Sequence, residues 1–146
     1  MRVVIQRTTQ RTVKVEQRIV ATQSGSGLLL LLGVGKNDNE DTVTQLARKI
    51  ANLRIFSDDN GKMNLSILDI KGSAIVVSQF TLFADTKRGN RPSFIEAGEP
   101  EKARILVELF VKKLQSFGIE TQQGEFAADM QVYLINDGPV TIWIEM

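Results

Sequence analysis

Five consecutive leucines, Leu28 to Leu32, lie between Gly27 and Gly33 and constrain the fold more than any other stretch. A strand turns alternate side chains to opposite faces, so an unbroken apolar run of this length predicts a central strand buried on both sides. The run is far shorter than the roughly 20 apolar residues of a membrane helix. Its neighbours read as strands too. Val3 and Ile5, then Val13 and Val15, alternate with polar residues, Ile19-Val20-Ala21 follows, and Gly25-Ser26-Gly27 reads as a turn. Adjacent antiparallel strands are expected, and elements must cover both faces of the leucine strand.

Covering elements are legible downstream. Lys36-Asn37-Asp38-Asn39-Glu40-Asp41 is rich in capping and dipole-complementing side chains, and it lacks the alternating oxygen ligands of a calcium loop. A helix is expected from about Asp41 to Asn52, burying Val43, Leu46, Ala47 and Ile50. Arg54-Ile55-Phe56 reads as a short strand ended by the turn Asp58-Asp59-Asn60-Gly61, and Ser73 to Phe80 as a buried strand. From Phe83 to Gly98 no periodicity is visible; so long a connection is functional or disordered, and Phe94 and Ile95 argue against disorder. Glu99-Pro100 opens a second helix whose core face is Ala103, Leu106, Val107, Phe110, Leu114 and Phe117, stopped by Gly118. Lys112 and Lys113 suit its negative end. Met130-Val132-Leu134 and Val140-Ile142-Ile144 read as a strand pair joined by Asn136-Asp137-Gly138-Pro139. The expected architecture is α+β, a mostly antiparallel, barrel-like sheet covered by two main helices, in one domain spanning residues 1–146.

Composition restricts the chemistry. The 146 residues include no histidine and no cysteine. A His base, a Cys nucleophile, an imidazole or thiolate zinc site, an iron–sulfur cluster and a disulfide scaffold are therefore excluded. No metal and no cofactor is expected. Catalysis must rest on hydroxyls, carboxylates, Lys, Arg, backbone amides or groups the substrate brings. The start of the chain lacks a signal-peptide run, which together with the missing Cys points to the cytoplasm and no membrane. A net charge of +1 is far from the basic excess of a protein that clamps a long duplex, so any nucleic acid would be held locally or by one end.

Three stretches could carry chemistry. Ser78-Gln79-Phe80-Thr81 ends a buried strand, where a rigid scaffold can present hydroxyls and amides; the same residues also serve as turn hydrogen-bonders. A Ser or Thr nucleophile needs a base, and none is dictated by the spacing. Asn136-Asp137-Gly138-Pro139-Val140-Thr141 reads as a hairpin turn complicated by Pro139, which has no N–H for a ladder, or as a functional loop. Lys87, Arg88 and Arg91, with Phe94 close behind, are either a solvated loop or a small patch for phosphates and a stacked base.

Taken in order these stretches resemble the D-aminoacyl-tRNA deacylase family over essentially the whole chain. The resemblance rests on Gln6-Arg7, the Gly27 to Gly35 strand, Arg54-Ile55-Phe56-Ser57-Asp58 with Gly61-Lys62-Met63-Asn64-Leu65, and Ser78-Gln79-Phe80-Thr81-Leu82. It continues through Arg88-Gly89, Arg91-Pro92-Ser93-Phe94, Phe126-Ala127-Ala128-Asp129-Met130 and Asn136-Asp137-Gly138-Pro139-Val140-Thr141. It implies a homodimer that hydrolyses the ester between a D-amino acid, or mischarged glycine, and the 3′ end of tRNA. It further implies a cis Gly138–Pro139 peptide whose loop enters the partner's pocket, and a pocket lined by Ser78, Gln79, Phe80 and Thr81. Thr81 matches the residue sometimes assigned as nucleophile; another family reading gives catalysis to backbone groups and the RNA. Substrate binding and chiral selection would fall to Gly138, Pro139, Arg7, Met130 and Ala127, with Arg7 in support.

The lack of histidine suits the second reading. An aminoacyl ester carries a neighbouring ribose hydroxyl and an α-ammonium group, so orienting it and donating amides to the developing oxyanion would suffice. Main-chain carbonyls crowding one side of the α-carbon would reject L side chains whatever their identity. Thr8, Arg11, Gln23-Ser24 and Phe83 depart from the residues expected in such a family. The competing readings are a nonenzymatic tRNA-end binding module and a general small-ester hydrolase with a Ser or Thr nucleophile.

Overall fold

The computed structural model describes all residues, 1–146. Strands β1 (Arg2–Val15) and β2 (Arg18–Gly33) form one long antiparallel hairpin, turned at Glu16, whose φ is 55°. The turn expected at Gly25-Ser26-Gly27 is instead an irregularity inside β2. Thr8 faces Gly27 while Gln10 faces Ser24, so β2 carries an extra residue there, and Gly25 takes a φ of 85°. A bulge needs the same permissive residues as a turn but bends the strand without reversing it.

The leucine run does what its alternation demands. Leu28, Leu30 and Leu32 enter a core of 24 buried residues, whereas Leu29 joins Val13, Ala21, Ile75 and Val77 in a smaller cluster on the other face, with Leu31 packed at its edge. Strand β5 (Ser73–Ser78) runs parallel to β2, and β6 (Glu120–Gln123) runs parallel to β5. Strand β7 (Met130–Glu145) lies antiparallel to β1 on the other side, giving the order β6-β5-β2-β1-β7. The fold is α+β with a mixed five-stranded sheet, and it does not close into a barrel. After four residues of β6 the chain leaves at Gly124, and no ladder links that edge to β7. Strands β3 (Phe56–Ser57) and β4 (Met63–Leu65) pair separately, so the short strand starts at Phe56 rather than Arg54, whose Nε instead donates to Asn64 O at 2.7 Å.

Both helices cover the larger core. Helix α1 (Glu40–Ala51) is capped by Asn39, whose side chain accepts from Thr42 N at 3.1 Å, and buries Val43, Leu46, Ala47 and Ile50. Helix α2 (Pro100–Ser116) begins with Pro100 and buries Leu106, Val107, Phe110, Val111 and Leu114. Neither helix is long and apolar enough to cross a membrane.

Several of the polar residues that stand out in β1 and β2 act as one unit. Arg11 is 1% exposed at the bulge. Its Nε donates to Gln23 Oε1 at 3.1 Å, Nη1 to Thr8 Oγ1 at 3.3 Å and Gly25 O at 3.0 Å, and Nη2 to Ser73 O at 2.9 Å and to Ser73 Oγ. All five guanidinium hydrogens thus find acceptors on β1, β2 and β5. Burial pushes the Arg11 pKa down to about 10, with Glu120 pulling the other way.

The tail departs most from expectation. Met130–Ile135 and Thr141–Glu145 do not pair with each other; both run along β1, from Val15↔Met130 to Arg2↔Glu145. Residues 137–140 leave the ladder where only Arg7 stands on the partner strand. Alternating strands around Asp-Gly signal a reversal or an excursion equally well, and the length of β1 decides for the excursion by pairing with both halves.

Candidate active site

Strand β5 ends at Ser78, two residues before the expected Phe80. Gln79 N still donates to Leu32 O at 2.8 Å, after which Phe80–Phe83 form a short 3-10 turn. This turn borders a cavity of about 710 Å³ lined by 21 residues, 14 of them hydrophobic. Val77, Ser78, Gln79 and Phe80 make one wall, Phe94 and Ile95 of the irregular segment another, and Ala103 and Val107 of α2 a third. Phe126 to Met130 and Val132 complete it, including Ala127, whose φ is 61°. Phe80 and Phe94 meet edge to face at 5.0 Å and 71°, with Phe80 59% exposed. Mostly apolar walls with few polar groups suit an organic ligand whose orientation is set by a few contacts.

Ser78, Gln79, Phe80, Ala127 and Met130 therefore share one cavity, while Thr81, Arg7, Gly138 and Pro139 do not line it. The Thr81 hydroxyl accepts from Gln79 Nε2. No carboxylate or amine hydrogen-bonds to it, so the Thr81 oxygen is held as an acceptor and has no base beside it. In the first turn of the 3-10 segment, Phe80 N and Thr81 N donate to no backbone carbonyl. Asp85, Lys62 and Lys87 make no hydrogen bond to the Thr81 hydroxyl.

The second group of residues forms the excursion from β7. Arg7 is 9% exposed and spans the gap: Nε donates to Asp137 O at 2.9 Å and lies 3.3 Å from Asp137 Oδ2, while Nη1 donates to Ile55 O at 2.8 Å. Asn136 closes the neck, its Oδ1 accepting from Val140 N and its Nδ2 donating to Thr141 Oγ1, both at 2.8 Å. Gly138 and Pro139 are exposed at the tip, and the peptide between them is cis. Gly138 has a φ of 136°, and a Cβ there would lie 2.8 Å from Val140 Cγ2 and 3.1 Å from Arg7 Nη2. Along the same edge strand Tyr133, Ile135 and Trp143 are each more than half exposed.

Sequence reasoning missed several cavity walls. Val107 and Ala103 read only as a core stripe, because the helical period marks a buried face without telling whether it meets a sheet or a void. Phe94 and Ile95 carried a signal, being apolar residues in a segment without periodicity.

The family model for D-Tyr-tRNA(Tyr) deacylase matches residues 4–145. A D-aminoacyl-tRNA deacylase from Roseiflexus castenholzii is 56% identical over 145 residues, covering 99% of this chain and 92% of its own. Its counterparts from Thermomicrobium roseum and Bacillus pumilus are 52% and 50% identical, again over 99% of this chain and over 94% and 98% of theirs. Among solved structures, the c-Myc DNA Unwinding Element Binding Protein superposes with a TM-score of 0.92 at 36% identity, covering 100% of this chain and 99% of its own. A probable eukaryotic D-amino acid tRNA deacylase, 13% identical over 99% and 98% of the two chains, shares the fold with a TM-score of 0.84.

Proposed function

Because the chain belongs to the D-Tyr-tRNA(Tyr) deacylase family and is a hydrolase of the aminoacyl-tRNA ester, we propose how its residues divide the task of clearing D-amino acids and mischarged glycine from tRNA. The 3′ end of the RNA enters the apolar cavity, where Ser78, Gln79, Phe80, Ala127 and Met130 surround the ester. The Phe80 amide, on the cavity wall and bonded to no backbone carbonyl, donates to the developing oxyanion, and the substrate's own ribose hydroxyl and ammonium assist the cleavage. Chirality is read by main-chain atoms of Gly138 and Pro139, braced by Arg7, reaching the cavity of a second copy across a two-fold axis. No cofactor takes part, and the cytoplasm, where tRNA is used, is its place of work.

One observation carries this reading. Gly138 and Pro139 are held outward on an edge strand, outside their own protomer's cavity, and Ile135 and Trp143 on the same strand are exposed apolar side chains of the kind an interface buries. An excursion fixed at its neck by Arg7 and Asn136, with nothing of its own protomer to act on, suits action in trans.

Matched D- and L-tyrosyl-tRNA test it: release from the D ester at least about tenfold faster than from the L ester is expected, and equal rates would overturn the chiral role. Binding of uncharged tRNA without hydrolysis of either ester would favour a nonenzymatic tRNA-end binding module. Thr81→Val separates the mechanisms. Loss of a true nucleophile costs on the order of 10⁴-fold or more in kcat, whereas a residue that only holds Gln79 should cost within about tenfold. Single-turnover deacylation of D-tyrosyl-tRNA by the variant, together with a search for a covalent acyl adduct on the wild type, decides between them.

A further inference from the structure

We propose that Lys87, Arg88 and Arg91 form a phosphate-gripping rim that holds the RNA backbone as the esterified end enters the cavity; this rests on the reading of the chain as a deacylase of tRNA esters. The chain carries a net charge of only +1, yet these three cations fall within five residues, and no acidic residue occurs between Thr86 and Ile95. All three are exposed, and none makes a salt bridge or a side-chain hydrogen bond. By contrast, the exposed Arg18 is spent on Glu125, and the half-buried Arg104 on Glu101 and Glu108.

The loop that carries them is anchored. Asp85 N donates to Ser93 O at 2.7 Å and Ser93 N returns a bond to Asp85 O at 2.9 Å, while Asp85 Oδ1 accepts from Lys87 N at 2.9 Å. One residue beyond this clasp stands Phe94, edge to face with Phe80 at the mouth of the cavity. The segment that carries the cations is thus fixed at its base, one residue from a wall of the cavity. On the lining itself, Lys36 adds an ammonium and holds Lys102 Nζ at its carbonyl, 2.7 Å away, against the carboxylates of Glu99 and Asp129.

The charge and the cavity suit different parts of one ligand. An apolar cavity of about 710 Å³ takes only the end of a nucleic acid. The rest, a polyanion, must lie over the rim, and unpaired cations there gain from releasing its counterions. Three such contacts account for about two units of slope in log affinity against log salt.

The test compares wild type with the variant Lys87→Gln, Arg88→Gln and Arg91→Gln, using an uncharged tRNA transcript, D-tyrosyl-tRNA and D-tyrosyl-adenosine, an ester without the phosphate chain. Transcript binding should weaken about 10- to 100-fold at moderate salt, with a salt slope shallower by about two. KM for D-tyrosyl-tRNA should rise comparably with kcat kept, and turnover of D-tyrosyl-adenosine should not change. In the wild type itself, added salt should raise KM for the tRNA ester alone, which keeps the proposal testable should the variant fail to fold. Unaltered transcript binding, or an equal loss on both esters, overturns the rim. A wild type that leaves both D esters intact overturns the deacylase reading instead, and the binding measurement still judges the rim.

Discussion

Replacing Gly138 by alanine is expected to lower kcat/KM on D-tyrosyl-tRNA by about 10²-fold while leaving the chain folded. At a φ of 136° an alanine costs about 1–3 kcal/mol, and its Cβ would sit 2.8 Å from Val140 Cγ2 and 3.1 Å from Arg7 Nη2. The tip must therefore shift, and its neighbours include the arginine that fixes it. The strain is local, because the excursion leaves the ladder intact on both sides; a fall in Tm of about 2–10 °C is the expected companion. Mixing subunits locates the effect. In the proposed homodimer, Gly138→Ala chains combined with chains whose cavity is filled by Ala103→Trp should recover roughly a quarter of wild-type activity, since half of a random mixture would be heterodimer with one complete site. No recovery on mixing would place tip and cavity within the same chain, or show that the two do not cooperate.

Arg11→Met should cost about 2–4 kcal/mol of unfolding free energy, read as a lower urea midpoint with an unchanged slope. Methionine relieves the desolvation that depresses the arginine's pKa, so the outcome depends on the acceptors left behind. The Ser73 carbonyl and Thr8 hydroxyl lie under the bulge, and both lose a charged donor that an apolar side chain cannot replace. Turnover per folded molecule at low temperature should be preserved, because Arg11 is absent from the cavity lining. Arg11→Lys keeps the charge but lacks the fork that reaches three strands, and it should fall between the two. A methionine variant as stable as wild type would show that hydration of the neighbouring polar hollow, lined by Gln10, Thr22 and Glu120 among others, replaces the lost bonds.

What the sequence made legible follows from what a one-dimensional pattern encodes. Alternation predicted that the leucine strand has two buried faces, and helical period identified Val43, Leu46, Ala47 and Ile50 as core. Strand β6 went unseen because Glu120-Thr121-Gln122-Gln123 has no apolar alternation; its place comes from β5, a partner whose register is set elsewhere. The bulge at Gly25 and the excursion at Gly138 both read as turns, since local composition reports a permissive backbone but not the direction in which the chain leaves it. The same limit hid the Arg11 network. Thr8, Arg11 and Gln23 each stand out in the sequence, yet only the offset pairing of Thr8 with Gly27 and Gln10 with Ser24 brings their side chains to one point.

The candidate site divided along similar lines. Ser78 to Phe80 were legible because a buried strand running into an aperiodic segment has to end at a surface, and that surface is concave. Thr81 shares their stretch of sequence but turns away within the 3-10 segment, a change of direction that residue spacing does not record.

The excursion on β7 has one further consequence. An edge strand has no neighbour on its outer side, and residues 137–140 interrupt pairing with β1 at a single position. The exposed outer side of this tip can accordingly vary more freely than a residue inside the ladder, whereas Val140 at its foot belongs to the core and is held to it, as an antibody loop is held by a constant framework. Under the division of labour proposed above, selectivity would then diverge between descendants of this chain while the cavity proposed for the cleavage stays the same.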